Sequence, residues 1–351
     1  MAKRFGLKLS AALALAALSS LHAQAQTAGS AFLDITPSVR SFSMGMSNVV
    51  SAAGAESIGS NPANLGILTH RYDAFTSYAT IMDGGEFEHI AVAMAPNNLG
   101  PIDGLGASVT RLQVSGFQGS DASGNKNGKG FGSSDTAFSL AASAALGSDL
   151  RAGLTAKALQ ESISSYKTNV ALAADMGMSY TFTAREIPMT VAASLVNFGM
   201  KTKYLSESDP LPTTFKAGAA MPLGSFTGVL QVNRLIYDHQ TQVGAGLEIG
   251  LGGVAFRVGY LAEADSGLAD QSALHRFFSG MEAGVGVKFG DAKFDYAISQ
   301  QAVDFQPTHR VAFSMQWGSK EARAVPKSHV SDVWKSVPSK SDWVMRSMGG
   351  Y

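Results

Sequence analysis

Residues 168–182 read TNVALAADMGMSYTF and alternate without a break. Val170, Leu172, Ala174, Met176, Met178, Tyr180 and Phe182 fall on one face, and Asn169, Ala171, Ala173, Asp175, Gly177, Ser179 and Thr181 on the other. Side chains of a strand point alternately to opposite sides, so one face is apolar and the other small or polar. At about fifteen residues the segment exceeds the usual strand of about five or six. It suits a tilted strand that crosses a bilayer and projects past it, with the apolar face toward lipid and the polar face toward a lumen.

Turn-forming residues cut the chain from Tyr72 onward into further segments of this kind. They predict strands over residues 72–82, 86–95, 102–114, 131–146, 150–162, 168–182, 187–198, 213–221, 226–237, 242–251, 254–261, 278–289, 292–301 and 308–317. The total of about fourteen is even, as in bacterial single-chain barrels. Val243, Ala245, Leu247, Ile249 and Leu251 oppose Gly244, Gly246, Glu248 and Gly250, and the last strand aims Val311, Phe313, Met315 and Trp317 outward. Connections after even-numbered strands are short, as at Gly147-Ser148-Asp149, Gly252-Gly253 and Gly290-Asp291, whereas residues 115–130, 199–212 and 262–277 form long ones after odd-numbered strands. Outer-membrane barrels have short periplasmic turns and long external loops, which places both ends of the predicted barrel on the periplasmic side. A soluble up-and-down barrel shares the alternation but turns its apolar face inward; the strand length speaks for the membrane form.

Composition sharpens this picture. Mean hydropathy is only +0.07 and charged residues make up 15% of the chain, with 38 glycines. Barrels escape hydropathy because half of each strand faces the lumen. Net charge is zero, so no basic field recruits nucleic acid. The absence of cysteine excludes disulfides and thiolate metal sites. Lys3, Arg4 and Lys8, an apolar run over residues 9–21 and Ala23-Gln24-Ala25 predict a signal peptide over residues 1–25 and export to the bacterial outer membrane. The seven histidines are scattered, and no catalytic, metal or cofactor motif stands out, so a non-enzymatic protein without cofactor or metal is expected.

Asp175, Glu248, Arg257, Glu282, Lys288 and Asp295 all fall on predicted lumen faces. A charge facing lipid is costly, so their common placement supports the register. They either line a permeation path or pair with one another and with whatever fills the lumen. Tyr204, Leu205, Leu211, Phe277 and Phe278 border external loops. They either receive a hydrophobic ligand or a protein, or pack on each other over the barrel mouth. Residues 319–351 form a predicted periplasmic tail with Trp334 and Trp343, either an extension or a docking element.

Residues 32–68, FLDITPSVRSFSMGMSNVVSAAGAESIGSNPANLGIL, resemble the N-terminal signature of the PorV/PorQ family, relatives of the FadL outer-membrane transporters. Arg40, Met44, Gly45, Asn61, Pro62, Ala63 and Leu65 match; Asn64 stands where the family usually has Gly, and Met46 and Ser47 interrupt the glycines of the turn. Asn197-Phe198-Gly199 with Asp209-Pro210-Leu211-Pro212-Thr213-Thr214, Arg257-Val258-Gly259-Tyr260, Phe294-Asp295-Tyr296-Ala297 and Thr308-His309-Arg310 resemble later blocks, so the likeness spans residues 32–318. It implies an all-β, FadL-like transmembrane antiparallel barrel of about fourteen strands. Residues 72–318 would form the barrel, and residues 26–71 would fold into its lumen as a plug carrying the motif Arg40, Gly45, Asn61, Pro62 and Ala63. By the chain's own chemistry, Pro62 holds Asn61 extended and favours a sharp structural turn there. The family further implies a non-enzymatic role in type IX secretion, with secretion components and cargo proteins bearing a C-terminal sorting domain as partners beside outer-membrane lipid. The alternative is a FadL-like channel for small hydrophobic molecules.

Overall fold

Alternating faces become a closed wall. The structure, a computed structural model, describes residues 28–81, 84–120, 123, 125–184, 186–204, 206–263, 280–299 and 307–320. Its strands are β1 (Tyr72–Ile81), β2 (Gly85–Met94), β3 (Ile102–Ser120), β4 (Lys126–Ala145), β5 (Leu150–Ile163), β6 (Tyr166–Lys167), β7 (Ala171–Ala184), β8 (Ile187–Gly199) and β9 (Thr202–Tyr204). There follow β10 (Glu207–Asp209), β11 (Thr214–Leu223), β12 (Phe226–Leu235), β13 (Thr241–Leu251), β14 (Val254–Glu263), β15 (Met281–Phe289), β16 (Ala292–Ser299) and β17 (Thr308–Trp317). One antiparallel sheet holds all but the small β9–β10 hairpin; β6 is a two-residue flap on β5, which leaves fourteen wall strands. β1 pairs with β17, Tyr72 opposite Trp317, and closes the barrel.

The alternation is realised as lipid-face and lumen-face positions. On β7, Leu172, Met176, Met178 and Tyr180 are exposed while Ala171, Ala173, Asp175 and Ser179 are buried. Ile90, Phe138, Leu140, Leu154, Leu230, Leu247 and Phe256 are likewise outward and exposed, the surface a bilayer would cover. Trp317 stacks on Tyr72 at 5.7 Å on the short-turn rim, an aromatic pair at interface height.

Two departures from the expected strands have local causes. The connection expected over residues 115–130 is largely ladder: Phe117 pairs with Phe131, Gln118 with Gly130 and Ser120 with Lys126 across register shifts. Gly116, at φ +87°, supplies the irregular residue that lets the ribbon continue, and the β3–β4 hairpin rises past β2, whose pairing ends with Gly85 opposite Val114. On β8 the register against β7 shifts between Ala174 and Met176. Asn197 lies beside that shift with φ 59°, a conformation that asparagine tolerates better than most residues.

Residues 28–68 run inside this wall as short turns of helix: Ala31–Asp34, Val39–Phe42, Asn48–Ser51, Gly54–Ser57 and Pro62–Gly66. They enter at the long-loop end, where the Ala28 amide donates to Asp238 Oδ1 at 3.0 Å. They leave at the short-turn end, where the Arg71 amide donates to the Gly318 carbonyl at 3.1 Å. Close approach to the wall requires glycine there. A Cβ on Gly246 would stand 2.5 Å from Met44 Cα, and one on Gly153 would overlap the Pro62 carbonyl.

Candidate functional site: the filled lumen

Inward positions of β13–β16 carry charges in register, Glu248 opposite Arg257 and Asp295 two strands on. From the inner segment, Arg40 meets Glu248 with both carboxylate oxygens engaged, Nε to Oε2 at 2.8 Å and Nη2 to Oε1 at 2.6 Å, and donates a third bond to the Ser51 carbonyl at 2.7 Å. Arg257 donates to the same Glu248 at 2.6 Å and to Asp295 at 2.7 Å. Lys293 reaches Asp295 at 3.1 Å and Glu56 at 3.9 Å, and Ser38 donates to Glu56 at 2.5 Å. The chain of charges therefore begins and ends on the inner segment. Burial opposes the Arg40 charge, and the Glu248 carboxylate beside it outweighs that, holding the guanidinium above its ordinary range.

Glu282 accepts the Gly45 amide at 2.8 Å. Arg310 donates to the Thr36 carbonyl at 2.8 Å and lies over the Phe42 ring at 3.9 Å. Of the expected lumen charges, Glu248, Arg257, Glu282 and Asp295 thus converge on the inner segment. Lys288 faces inward near the rim, lining a cavity of about 70 Å³ at the short-turn end with Glu56, Asp73, His70, Asp291 and Lys293.

Asp175 joins a second centre, nearer the long-loop end. Lys157 Nζ lies 2.8 Å from Asp175 and donates to Asn197 Oδ1 at 2.6 Å, while the Asn197 amide donates to Asp175 at 2.8 Å. The Asn197 carbonyl accepts Thr213 Oγ1 at 3.0 Å, tying the β8 bulge to the start of β11. Asp34, on the inner segment, is pushed up from 3.8 to about 7, by burial first, against the pull of Lys216.

In the Asn-Pro-Ala turn, Asn61 is extended at φ −145° before Pro62, as its position predicts, and its side chain caps the short helix by accepting the Ala63 amide at 3.1 Å. Its Nδ2 donates to the Val49 carbonyl at 2.9 Å. Asn64 donates to the Val49 and Ala52 carbonyls at 3.0 Å each, two cross-braces within the inner segment.

Of the five external-loop candidates, Leu211 and Tyr204 lie among the described residues. Leu211 is 1% exposed and packs with Phe32, Leu159 and Ala171 instead of lining an open surface, because the chain before β11 folds down onto the inner segment. Tyr204 is half-buried on the β9–β10 hairpin, its phenol pushed up to about 12 by burial and by Glu161 and Asp135. Leu205, Phe277 and Phe278 lie outside the described residues, as do residues 1–27 and 321–351. The sequence reading does not single out Lys157, Glu56 or Lys293, and it names Arg310 only within the Thr308-His309-Arg310 block. Lys157, Lys293 and Arg310 stand on inward positions of predicted strands, a signal that alternation carries; Glu56 lies in the irregular inner segment, where no periodicity points to it. Among the described residues, no group of three or more potential ligands is placed to hold a metal.

No family model matches this chain, and no curated protein matches it. Solved structures do. A mutant of the monoaromatic hydrocarbon channel TodX is 13% identical, with a TM-score of 0.55 over 80% of this chain and 98% of that one. The Pseudomonas putida toluene transporter TodX is 13% identical, with a TM-score of 0.54 over 78% of this chain and 95% of that one. A Pseudomonas aeruginosa FadL homologue is 10% identical, with a TM-score of 0.48 over 80% and 97%. The likeness to TodX shows a shared barrel fold.

Proposed function

We propose that this protein is an outer-membrane channel for small hydrophobic molecules, with residues 28–68 as its plug. The carrying observation is a lumen filled from mouth to mouth by a segment clamped through Arg40 and Glu56 to the wall. A wide barrel left open passes water and ions. One packed in this way suits apolar solutes that slip past side chains in small numbers. The architecture shared with structures described as a toluene transporter and a monoaromatic hydrocarbon channel supports the same reading. Export through a signal peptide over residues 1–25 and a periplasmic tail over residues 319–351 complete it.

The secretion role implied by the PorV/PorQ motifs rests on those motifs alone; no family model or relative supports it, and the channel reading takes precedence. The test is entry of toluene into intact cells carrying the full chain, the chain lacking residues 28–68, or no added barrel. The full chain should speed toluene entry without admitting hydrophilic dyes, and the deletion should admit both. Toluene entry equal to that of cells without the barrel would overturn the proposal.

A further inference from the structure

Three side chains of the inner wall, Lys157 on β5, Asp175 on β7 and Asn197 at the bulge of β8, are 5%, 0% and 0% exposed. Lys157 Nζ lies 2.6 Å from Asn197 Oδ1 and 2.8 Å from Asp175 Oδ1. An amine, a side-chain amide and a carboxylate in mutual contact are the two reactants and the proton carrier of an amide exchange. The amide is already turned for it. Asn197 Nδ2 faces the Leu33 carbonyl at 3.5 Å and the Pro212 carbonyl at 3.4 Å, which leaves the carbonyl side toward Lys157. The Asn197 backbone amide donates to Asp175 Oδ1 at 2.8 Å, so the carboxylate holds the asparagine and the lysine together.

An ion pair alone accounts poorly for this place. Two charges taken out of water are costly, and Asp175 Oδ2 is buried without a hydrogen-bond partner. The neighbouring inward positions of the β5–β7 pair are Leu159, Ala171 and Ala173, which form an apolar cluster with Phe32 and Leu211. Water, the competing nucleophile, is kept away.

We infer that Lys157 and Asn197 become joined by an isopeptide bond, formed once inside the folded barrel with Asp175 carrying the protons. Lys157 passes one proton to Asp175. The freed lone pair on Nζ bonds to Asn197 Cγ, and the carbonyl electron pair moves onto Oδ1, which takes a hydrogen bond from the protonated Asp175. When that pair returns, the Cγ–Nδ2 bond breaks. Asp175 relays the second Nζ proton to Nδ2, which leaves as ammonia, and the carboxyl remains protonated. The ion pair is thereby replaced by a neutral amide and a neutral acid, and the Asp175 hydroxyl gains the new carbonyl as acceptor. The bond ties β5 to β8 across β7, where the ladder slips between Ala174 and Met176. It is independent of what the lumen passes.

The test is peptide mapping by mass spectrometry on the full chain purified from outer membranes. Linkage blocks tryptic cleavage at Lys157, so a branched peptide should join residues 152–167 to residues 186–201, one ammonia lighter than the sum of the two. The variant Asp175→Ala should give only linear peptides, cleaved after Lys157. The measurement on the parent decides even where that variant does not insert: only linear peptides from the parent would overturn the bond. A branched peptide lighter by one water would place it on a carboxylate and overturn the role of Asn197. A branch that persists in Asp175→Ala would overturn the role of Asp175 as proton carrier.

Discussion

At Glu248 two guanidinium groups share one buried carboxylate, with Arg40 arriving from inside and Arg257 from the neighbouring strand. Removing one partner of such a cluster leaves an uncompensated charge in a desolvated place, which costs about 3–5 kcal/mol. Glu248→Gln should therefore lower the urea midpoint of the reconstituted barrel, and Arg40→Met should do so to a similar extent. Asp34 adds a pH dependence. Its carboxyl is pushed up from 3.8 to about 7, so between those values the unfolded chain is ionised while the folded one must keep its proton. The contribution of Asp34 to stability therefore falls as pH rises from about 4 to about 7 and then levels off. Because the residue is only partly shielded from solvent, the effect should be modest. Asp34→Asn should flatten that part of a stability-against-pH curve; a slope unchanged in the variant would refute the assignment.

Among the elements, the wall strands were readable because a period of two distributes apolar and polar residues without reference to anything distant. Met176 and Asp175 are neighbours in sequence, yet one is 43% exposed to the lipid side and the other fully buried. Met176→Arg should cost about 2–4 kcal/mol if it lies near the bilayer midplane. It should also reduce the yield of membrane-inserted barrel, read as the heat-modifiable fraction on a gel; unimpaired insertion would mean that the faces are reversed. What periodicity does not reach is contact between distant segments. Glu56 and Asn64 sit in an irregular run of Gly, Ala and Ser, and their partners lie on β16 for Glu56 and elsewhere within the same segment for Asn64. The place of Leu211 depends on the same kind of contact, since a loop residue's burial is set by what folds beneath it. The β3–β4 ribbon was cut short because Gly116 looks like the start of a loop, whereas in the structure it serves a register shift.

For the molecule as a whole, wall and inner segment are separable in their forces. The fourteen wall strands hold each other through the ladder closed by β1 and β17, whereas the inner segment is held by side-chain pairs and by the closeness that glycine permits. A substitution that evicts the segment need not open the ladder. Gly246 is the position to use, because its missing Cβ leaves room for the backbone of Met44, and atoms of Met44 would lie 2.5–2.6 Å from any Cβ placed there. Backbone cannot swing aside as a flexible side chain does, so Gly246→Leu should displace the turn at Met44 and Gly45. That displacement would pull Gly45 from Glu282, two strands away on β15, and strain the Arg40 clamp at Glu248, two residues along β13. The expected outcome is a barrel that still inserts and keeps its heat-resistant mobility but conducts ions in a planar bilayer, where the parent stays closed. If the variant inserts and remains as silent as the parent, the inner segment is not what seals the lumen.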